Sequence, residues 1–398
     1  MGITYKVSVT DGMFSPLNLA PKAWYRADTG ITLSNFWTQV NNLTVSDSSV
    51  TKTSADAWDG WTMSGKCLTG EGYVEFTVNA TNKYKRFSLI RSYARQGSNV
   101  NFGVYIDGND GTIQVHEVGV IKHDHTAVSV NDVIRIAVSA AGVVTYKKNG
   151  TTFYTSATTA TFPLVLELLL YHNTDSINSI VISGPTGRRI TGWSDLSGNG
   201  KHLAQYSNEQ YNPYLIYNSA GRPVVVGPAA ASPNYYDGSL QTATIPTTAL
   251  AYTWLSVQMF VSAFKVNNYY VYNGTLYTAG FGIYLESASN RNVLFVHHSP
   301  GQTVAYSEST TVWDTPESWS VSYPGSGSTI DFHIANIHKT LTYVSIAAPA
   351  TPSGSMSTPG LPGSGQSVQQ EELVLLGRAI TDTERTQWHA YTKARYGV

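Results

Sequence analysis

The stretch Trp193-Ser194-Asp195-Leu196-Ser197-Gly198-Asn199-Gly200-Lys201-His202 decides the fold of this chain. It has the composition of a strand end followed by a tight polar turn. Its two glycines adopt positive φ at little cost, and Asn199 tolerates that region better than most residues. Asp195 and Ser197 supply oxygens that accept hydrogen bonds from the backbone of such a turn. The stretch therefore predicts a polar turn at the end of a strand.

The pattern W-x-D-x-S-G-N-G-x-H resembles the signature turn of the laminin-G-like, concanavalin-A-like jelly-roll domains of bacterial and phage surface proteins. In that family the turn follows soon after a segment similar to residues 23–31, but here Trp24 and Trp193 are far apart in the chain. The end of the chain, residues 371–397, is similar to the close of the same family. Three separated segments thus match in order, which implies a jelly-roll domain interrupted by a long insertion.

Composition narrows the class of protein. The chain has 398 residues, a length that predicts two to three domains. Charged residues make up only 13% and the net charge is −1, which argues against binding to nucleic acid or to an anionic membrane surface. The 26 Tyr and 9 Trp favour strands over helices. A single cysteine, Cys67, excludes an internal disulfide framework.

Residues 33–189 show a complete set of strand signals of their own. Asn149-Gly150 lies between two strand patterns and predicts a type I′ hairpin. Regular spacing of short strands indicates a sandwich. The region resembles the concanavalin-A-like or SPRY-like sandwiches of phage tail and surface proteins. Strands are predicted at residues 72–78, 86–92, 102–107, 112–117, 133–138, 143–148, 151–155, 164–171 and 177–183.

The predicted fold class is all-β, with two antiparallel β-sandwiches, one inserted into the other, and a short C-terminal α-helix. The capping box Thr381-Asp382-Thr383-Glu384 predicts a helix from there to about residue 394. Residues 184–187 are predicted to link the two sandwiches, and residues 347–365 to form a long loop. The predicted division is an N-terminal arm (1–16), an outer jelly-roll domain (17–32 and 190–398) and an inserted sandwich (33–189).

The residues carry little sign of catalysis. Glucanases with a sandwich of this kind carry E-x-D-x-E or a close variant, which places paired carboxylates in one cleft. No such run exists here, and no G-x-S-x-G nucleophile motif is present. His123-Asp124-His125 offers three donor groups to a metal, although a loop tripeptide of this kind is more often solvated surface. We therefore predict that the protein is not an enzyme.

Ligand binding is predicted at loops that combine flat rings with amides or carboxylates, as sugar recognition requires. Two adjacent Tyr on a strand face opposite sides, so half of these rings are expected to be structural. No cofactor is predicted; Ca²⁺ at Asp195, Ser197 and Asn199 is the alternative to a turn that satisfies itself. The candidate ligand-binding residues are Tyr235, Tyr236, Asp237, Tyr269, Tyr270, Tyr272 and Trp313.

The first functional hypothesis is a non-enzymatic bacteriophage virion protein, such as a head or tail decoration or fibre, with lectin-like sandwiches that bind glycans or neighbouring subunits. The sequence shows no signal peptide and no membrane span, so we expect synthesis in the host cytoplasm and a final place in the virion. The expected partners are a cell-surface glycan or other virion subunits, bound through multimeric display. The alternatives are a bacterial surface or secreted carbohydrate-binding module and a polysaccharide-cleaving enzyme.

Overall fold

A computed structural model describes most of the chain. The described residues are 14–91, 100–205, 213–218, 220–226, 240–243, 251–260, 268–275, 279–286, 291–298, 303–307, 314–324, 330–339, 341–345, 355–358 and 368–398. They form antiparallel strands throughout, one short 3₁₀-helix, Pro16–Leu19, and one α-helix near the C-terminus. The all-β sandwich class predicted from the sequence is confirmed. No helix within these residues is long and apolar enough to cross a bilayer.

The strands are numbered in chain order. The first sixteen are β1 (Ala23–Arg26), β2 (Ile31–Leu33), β3 (Trp37–Asn41), β4 (Leu43–Ser46), β5 (Ser49–Lys52), β6 (Gly60–Leu68), β7 (Gly72–Thr77), β8 (Lys85–Ile90), β9 (Phe102–Asp107), β10 (Thr112–Glu117), β11 (Val120–Ala127), β12 (Val133–Val138), β13 (Val144–Lys148), β14 (Thr151–Thr155), β15 (Leu164–Leu170) and β16 (Ser176–Ser183).

The remaining described strands and the helix follow the same numbering. They are β17 (Thr186–Trp193), β18 (Leu203–Gln205), β19 (Tyr214–Tyr217), β20 (Pro223–Val226), β21 (Leu240–Ala243), β22 (Tyr252–Phe260), β23 (Asn268–Thr275), β24 (Ala279–Glu286), β25 (Arg291–His298), β26 (Thr303–Ser307), β27 (Glu317–Tyr323), β28 (Asp331–Ile334), β29 (Ile337–His338), β30 (Leu341–Ser345), β31 (Ser355–Thr358), β32 (Val368–Leu376) and α1 (Asp382–Tyr396).

Strands β3 to β16 form two facing sheets. One has the order β3-β6-β15-β8-β9-β10-β11, and the other β14-β13-β12-β7-β16-β5-β4. Alternation in each strand sends apolar side chains inward, where Phe76 and Phe87 meet with ring centroids 4.7 Å apart. The predicted hairpin at Asn149-Gly150 is confirmed, since both residues have positive φ (51° and 83°), as a type I′ turn requires.

The strands on either side of this region build a second core. Strands β22, β27 and β28 pair in sequence, and β22 also pairs with β32, which receives β1 on its other side. Three tryptophans are buried in this core: Trp193, Trp254 and Trp319. Because β1 precedes residues 33–189 and Ile190 and Trp193 of β17 follow them, this core draws on both flanking segments of the chain.

Helix α1 covers the opposite face of the β22–β32 pair. Trp388 packs there against Trp24, Leu255 and Val374. The predicted capping box is confirmed: the Thr381 hydroxyl accepts from the Glu384 N–H, and the Glu384 side chain accepts from the Thr381 N–H. The helix ends two residues later than predicted, because Gly397 adopts the left-handed conformation that terminates it.

Strand β17 joins the two regions. Its first half pairs with β6, and its second half pairs with β2 and β18. A third apolar cluster, which includes Met63, Val165 and Val224, packs β6 and β15 against β19 and β20. The predicted division between residues 189 and 190 falls inside β17, and the division into domains stays a prediction.

Two loops predicted from the sequence differ from the structure. The link predicted at residues 184–187 is shorter, because Thr186 already begins β17 and pairs with Leu68. The loop predicted at residues 347–365 contains β31, which pairs with β21 and β23. Pro, Gly and Ser in these stretches suggested loops, but pairing with neighbouring strands decided the backbone conformation.

Candidate functional site

The signature turn is held together by the carboxylate of Asp195. Its Oδ1 accepts from the Trp24 N–H (3.0 Å) and the Ser197 N–H (2.8 Å). Its Oδ2 accepts from the Ser197 hydroxyl (2.8 Å) and the Lys201 N–H (2.9 Å). The Ser197 hydroxyl in turn accepts from the Asn199 side chain (3.0 Å). The side-chain oxygens of Asp195 and Ser197, two of the three residues considered for Ca²⁺, are thus engaged by donors of the protein itself.

The same turn fixes the segment around Trp24. The Leu196 N–H donates to the Trp24 carbonyl (2.7 Å), and the Trp193 ring N–H donates to the Arg26 carbonyl (2.8 Å). The Asn199 side chain donates to the carbonyl of Pro21 (2.8 Å). These bonds bring together two segments that are far apart in sequence, so the turn serves as a structural brace.

The structure places the predicted ligand-binding residues only in part. Tyr235, Tyr236, Asp237 and Trp313 lie outside the described residues. Tyr269, Tyr270 and Tyr272 lie in β23, for which the backbone is described. A register shift falls between Tyr269 and Val271. Their role in binding stays a prediction.

The tripeptide His123-Asp124-His125 was predicted to be a loop, and this is wrong: it lies within β11. The His123 ring is 2.7 Å from the Thr126 hydroxyl, and His125 stands beside Asp110 and Asp124. Pairing of β11 with β10 draws this polar stretch into the sheet. Within the described residues, no three His, Cys, Asp or Glu side chains stand where they could hold a metal ion.

A row of four flat rings lies at the outer surface of the sheet that contains β8, β9 and β10. It runs His172, Tyr84, Tyr105, His116, and we call it the aromatic row. Successive ring centroids are 5.3, 6.2 and 5.3 Å apart. The Tyr84 and Tyr105 rings are nearly parallel, at 6°. All four rings are partly exposed. The row is thus a continuous series of four partly exposed rings.

Trp58 lies against the aromatic row. Its ring centroid is 6.4 Å from that of Tyr84, 6.1 Å from that of Tyr105 and 5.3 Å from that of Tyr171. The buried guanidinium of Arg86 stands 6.0 Å from the Trp58 ring and 5.8 Å from the Tyr105 ring. A cation at this distance attracts the ring faces and helps to fix their positions. The half-buried Trp58 thus adds an apolar surface to the row.

Strand register explains why these rings meet. Leu170, at the end of β15, pairs with both Gly60 of β6 and Lys85 of β8. Trp58 precedes β6, Tyr84 precedes β8 and Tyr171 follows β15, so all three lie at one end of the sheet. Tyr105 comes from within β9, where Val104 and Ile106 face the core and Tyr105 therefore faces outward.

The loop after β15 is anchored on both sides. Asp56 accepts from the Asn173 N–H (2.7 Å) and lies 3.0 Å from the His172 ring. Asp175 forms a buried ion pair with Lys85 (2.8 Å), and the Lys85 ammonium also donates to a side-chain oxygen of Asn79. These contacts hold His172 against Tyr84.

Polar groups border the aromatic row. The Tyr84 hydroxyl donates to the Asn109 side-chain oxygen (2.5 Å), and Gln114 lies 2.9 Å from the His116 ring. Burial lowers the pKa of His116 to about 4, so its ring is neutral near pH 7. Burial and the nearby Asp107 raise the pKa of Tyr105 to about 12, so its hydroxyl stays protonated. The rings of His116 and Tyr105 are therefore uncharged at neutral pH.

Reasoning from the sequence missed this group because its rings come from five separate segments. Side chains alternate along β9, and Val104 and Ile106 point into the core. This alternation would have placed Tyr105, which lies between them, on the outward face. The positions of Trp58, Tyr84 and Tyr171 at strand ends carried no local signal. Only the pairing of β15 with both β6 and β8 brings them together.

Two pairs of acids in the sequence come nearest to a catalytic set, Glu71 with Glu75 and Glu371 with Glu372. The adjacent acids Glu371 and Glu372 have structural partners. Glu372 is fully buried and accepts from the Trp24 ring N–H (2.6 Å) and the Tyr396 hydroxyl (2.6 Å). Glu371 forms a two-point ion pair with Arg222 (2.8 and 3.0 Å). Both carboxylates hold β32 to its neighbours.

Comparisons with known proteins give little guidance. No known protein family matches the chain, and no curated protein matches it. Among solved structures, Trypanosoma rangeli sialidase in complex with sialic acid aligns at 8% identity and a TM-score of 0.33 over 88% of this chain and 62% of that chain. Domains LG4-5 of the mouse laminin alpha1 chain align at 10% identity and 0.28 over 89% and 93%. These TM-scores are too low to carry an argument about fold or function.

Proposed function

We propose that this protein is a non-enzymatic glycan-recognition protein and that the aromatic row with Trp58 forms its binding surface. The observation that carries the proposal is the partly exposed group of His172, Tyr84, Tyr105 and His116, held in place from below and from the side. Exposed flat rings attract the apolar faces of sugars. Solvent-accessible rings are costly to leave uncovered, and a binding role explains them.

Polar groups beside the rings complete a sugar-binding chemistry. The side-chain oxygen of Asn109 accepts from Tyr84, and its NH₂ group has two donors to offer. Asp107, two residues after Tyr105 on the same face of β9, offers carboxylate oxygens to sugar hydroxyls. Rings with a few amides and carboxylates at their border are the usual composition of a small-molecule surface with orientation specificity.

The environment of Glu75, Glu371 and Glu372 supports recognition over hydrolysis. Glycoside hydrolysis requires two carboxyl groups that flank one bond in an accessible cleft. Glu372 is buried behind Trp24 and Tyr396, and Glu371 is occupied by Arg222. Glu75 is paired with Arg135 (2.6 Å). We therefore propose that the protein binds glycans without cleaving them.

Substitution of Trp58 tests the proposal. Trp58→Ala removes the apolar surface beside the row. The assay is an array of neutral and acidic bacterial polysaccharides, on which we first identify those that the wild-type protein binds. We expect Trp58→Ala to bind these polysaccharides at least about tenfold more weakly. Tyr217→Ala is the matched control, because Tyr217 is 62% exposed and lies in β19, outside the row. It should leave binding unchanged.

Thermal unfolding of both variants separates a binding effect from a folding effect. A Trp58→Ala protein that keeps its melting temperature and loses binding supports the proposal. Equal binding by wild type and Trp58→Ala contradicts the row as the site. Release of reducing ends from any retained polysaccharide, abolished by one Glu or Asp substitution, contradicts the absence of catalysis.

The biological setting we propose is display on a bacteriophage particle. Its support is the resemblance of residues 23–31, 193–205 and 371–397 to jelly-roll domains of phage and bacterial surface proteins. Single sugar contacts are weak, so many copies on one particle would supply avidity. Co-sedimentation of the protein with particles tests this setting, and a purified protein that stays monomeric and never associates with particles favours a secreted carbohydrate-binding module.

A further inference from the structure

We infer that the aromatic row takes an uncharged glycan and rejects acidic ones, because aspartates border the row at several points along its length. The inference rests on the proposed function and adds the chemical class of the ligand. The preference for uncharged glycans follows from the charged side chains around the rings. The contacts between the rings alone would not predict the charge of the ligand.

Carboxylates stand at both ends of the row and beside its centre. Asp56 touches His172 at one end (3.0 Å). Asp107 lies two residues after Tyr105 on the same face of β9, and Asp110 lies in the following turn, next to the Asn109 that accepts from Tyr84. Asp124 lies on β11, the strand paired with the β10 strand that carries His116. Backbone and side-chain donors hold the pKa of Asp56 and of Asp110 below the usual value, so both are ionised at neutral pH.

Two cations near the row lie below its surface. Arg86 is only 8% exposed and packs beneath Trp58 and Tyr105. Lys85 is buried in its pair with Asp175. Lys83 also lies near Asp56, and it lowers the pKa of that carboxyl less than the hydrogen bonds from Asn173 and His172 do. A ligand on the rings therefore meets the carboxylates of Asp56, Asp107 and Asp110 at the border, while Arg86 and Lys85 lie beneath.

This arrangement selects between glycans by their charge. The hydroxyls of a neutral glycan donate hydrogen bonds to the carboxylates. The carbon faces of its sugar rings pack on the aromatic rings. A uronic or sialic acid would bring a second negative charge close to Asp56, Asp107 or Asp110, and like charges at such distances repel. Salt screens this repulsion, since the Debye length falls from ~30 Å at about 0.01 M to ~8 Å at about 0.15 M.

The test is binding of the full chain to an array of neutral and acidic polysaccharides at those two ionic strengths. We expect neutral polysaccharides to bind above the Trp58→Ala background and to be insensitive to salt. Acidic ones should bind at least about tenfold less at low salt and gain as salt increases. The triple variant Asp56→Asn, Asp107→Asn, Asp110→Asn should reduce that discrimination by about tenfold, whereas Asp47→Asn, in the exposed turn between β4 and β5, should not.

The outcomes separate this inference from the proposed function. Acidic polysaccharides that bind more tightly than neutral ones, or lose binding as salt increases, overturn the inference and leave glycan recognition intact. Discrimination unchanged in a folded triple variant also overturns it. If no polysaccharide of either class binds above the Trp58→Ala background, the proposed function fails and the inference fails with it.

Discussion

At the scale of single residues, Asp195 illustrates how one carboxylate organises distant segments. Its two oxygens accept four hydrogen bonds, three of them from backbone N–H groups. The side chain is 7% exposed, so water cannot replace these bonds in full. A buried N–H that loses its acceptor costs about 1–3 kcal/mol. The residue is therefore worth more to stability than its place in a turn suggests.

Replacement of Asp195 by Ala should lower the free energy of unfolding by about 2–4 kcal/mol, because the N–H groups of Trp24, Ser197 and Lys201 lose their acceptor. Urea denaturation followed by tryptophan fluorescence measures this. Asp47→Ala is the control, since Asp47 is an exposed turn aspartate, and it should change stability by less than about 0.5 kcal/mol. Equal effects of the two changes would contradict the role of Asp195 as a brace.

Calcium should not stabilise the protein through this turn. Asp195 and Ser197 already accept hydrogen bonds from protein donors, and a bound cation would have to displace them. We expect the melting temperature of EDTA-treated protein to be unchanged by millimolar CaCl₂. An increase that disappears in Asp195→Asn would show that the turn binds Ca²⁺ after all.

At the scale of elements, helix α1 depends on the capping of its first turn and on the packing of Trp388 against the sheet. Thr381 and Glu384 satisfy each other's backbone N–H groups. The two-point ion pair of Glu384 with Arg378 (2.6 and 2.9 Å) lowers the pKa of Glu384 to about 2. The helix then buries Trp388 on the sheet. Local capping and long-range packing thus support the same element.

Loss of the cap should weaken the helix measurably. Thr381→Ala leaves the Glu384 N–H without its acceptor and should cost about 1 kcal/mol. Thr383→Ala, two residues away at an exposed position of the same helix, is the matched control and should be close to neutral. Chemical denaturation of both variants provides the comparison. A larger loss from Thr383→Ala than from Thr381→Ala would be inconsistent with the cap.

Glu372 should make stability depend on pH. Burial raises its pKa above the ordinary value, although the hydroxyl of Tyr396 and the ring N–H of Trp24 donate to it. A folded-state pKa above the unfolded one gives stability that is fully present below the unfolded value, about 4.3, and is lost as pH rises through the folded value. Glu372→Gln has no such titration.

The measurement is the difference in the free energy of unfolding between wild type and Glu372→Gln as a function of pH. The stability of the wild type relative to Glu372→Gln should be highest near pH 4 and should fall as pH increases toward neutrality. Titrations common to both proteins cancel in this difference. A difference that is constant with pH, or that changes in the opposite direction, contradicts a raised pKa at Glu372.

At the scale of the whole molecule, the two cores are joined through β17. Leu33, the first of residues 33–189, pairs directly with Ile190, the residue that follows them, across β2 and β17. This is the close approach of ends that an insertion requires. The apolar cluster of Met63, Val165 and Val224 nevertheless crosses the predicted division. The regions therefore have separate cores and a shared buried contact.

Deletion of residues 33–189, closed by a short Gly-Ser link, should leave a protein that unfolds cooperatively but is less stable than the full chain. Cooperativity is expected because the core around Trp193, Trp254 and Trp319 remains. Reduced stability is expected because Tyr214, Val224 and Val226 lose their covering side chains. Calorimetry checks both points. The same deletion with Trp193→Ala should lose its transition, whereas a deletion variant that never shows one contradicts the nested arrangement.

Much of the candidate site could not be predicted from the sequence. The sequence drew attention to Tyr235 and Tyr269, where rings and amides are neighbours in the chain. The aromatic row instead combines Tyr84, Tyr105 and His172 from separate segments. Neighbours in sequence are visible to pattern reasoning, whereas neighbours across a sheet depend on register.

The sequence by itself determined the local features. Alternation of apolar residues determined the strand class, Asn149-Gly150 determined a hairpin, and the Thr381–Glu384 pattern determined where the helix begins, because each depends on backbone preferences within a few residues.

The tertiary structure alone decided which segments meet. It placed Asp195 against Trp24, opened the outward face of β9 to solvent and bordered the rings with aspartates. These outcomes depend on strand pairing between residues far apart in the chain. The free energy of such pairing comes from burial of whole sheet faces, which no short stretch of sequence contains.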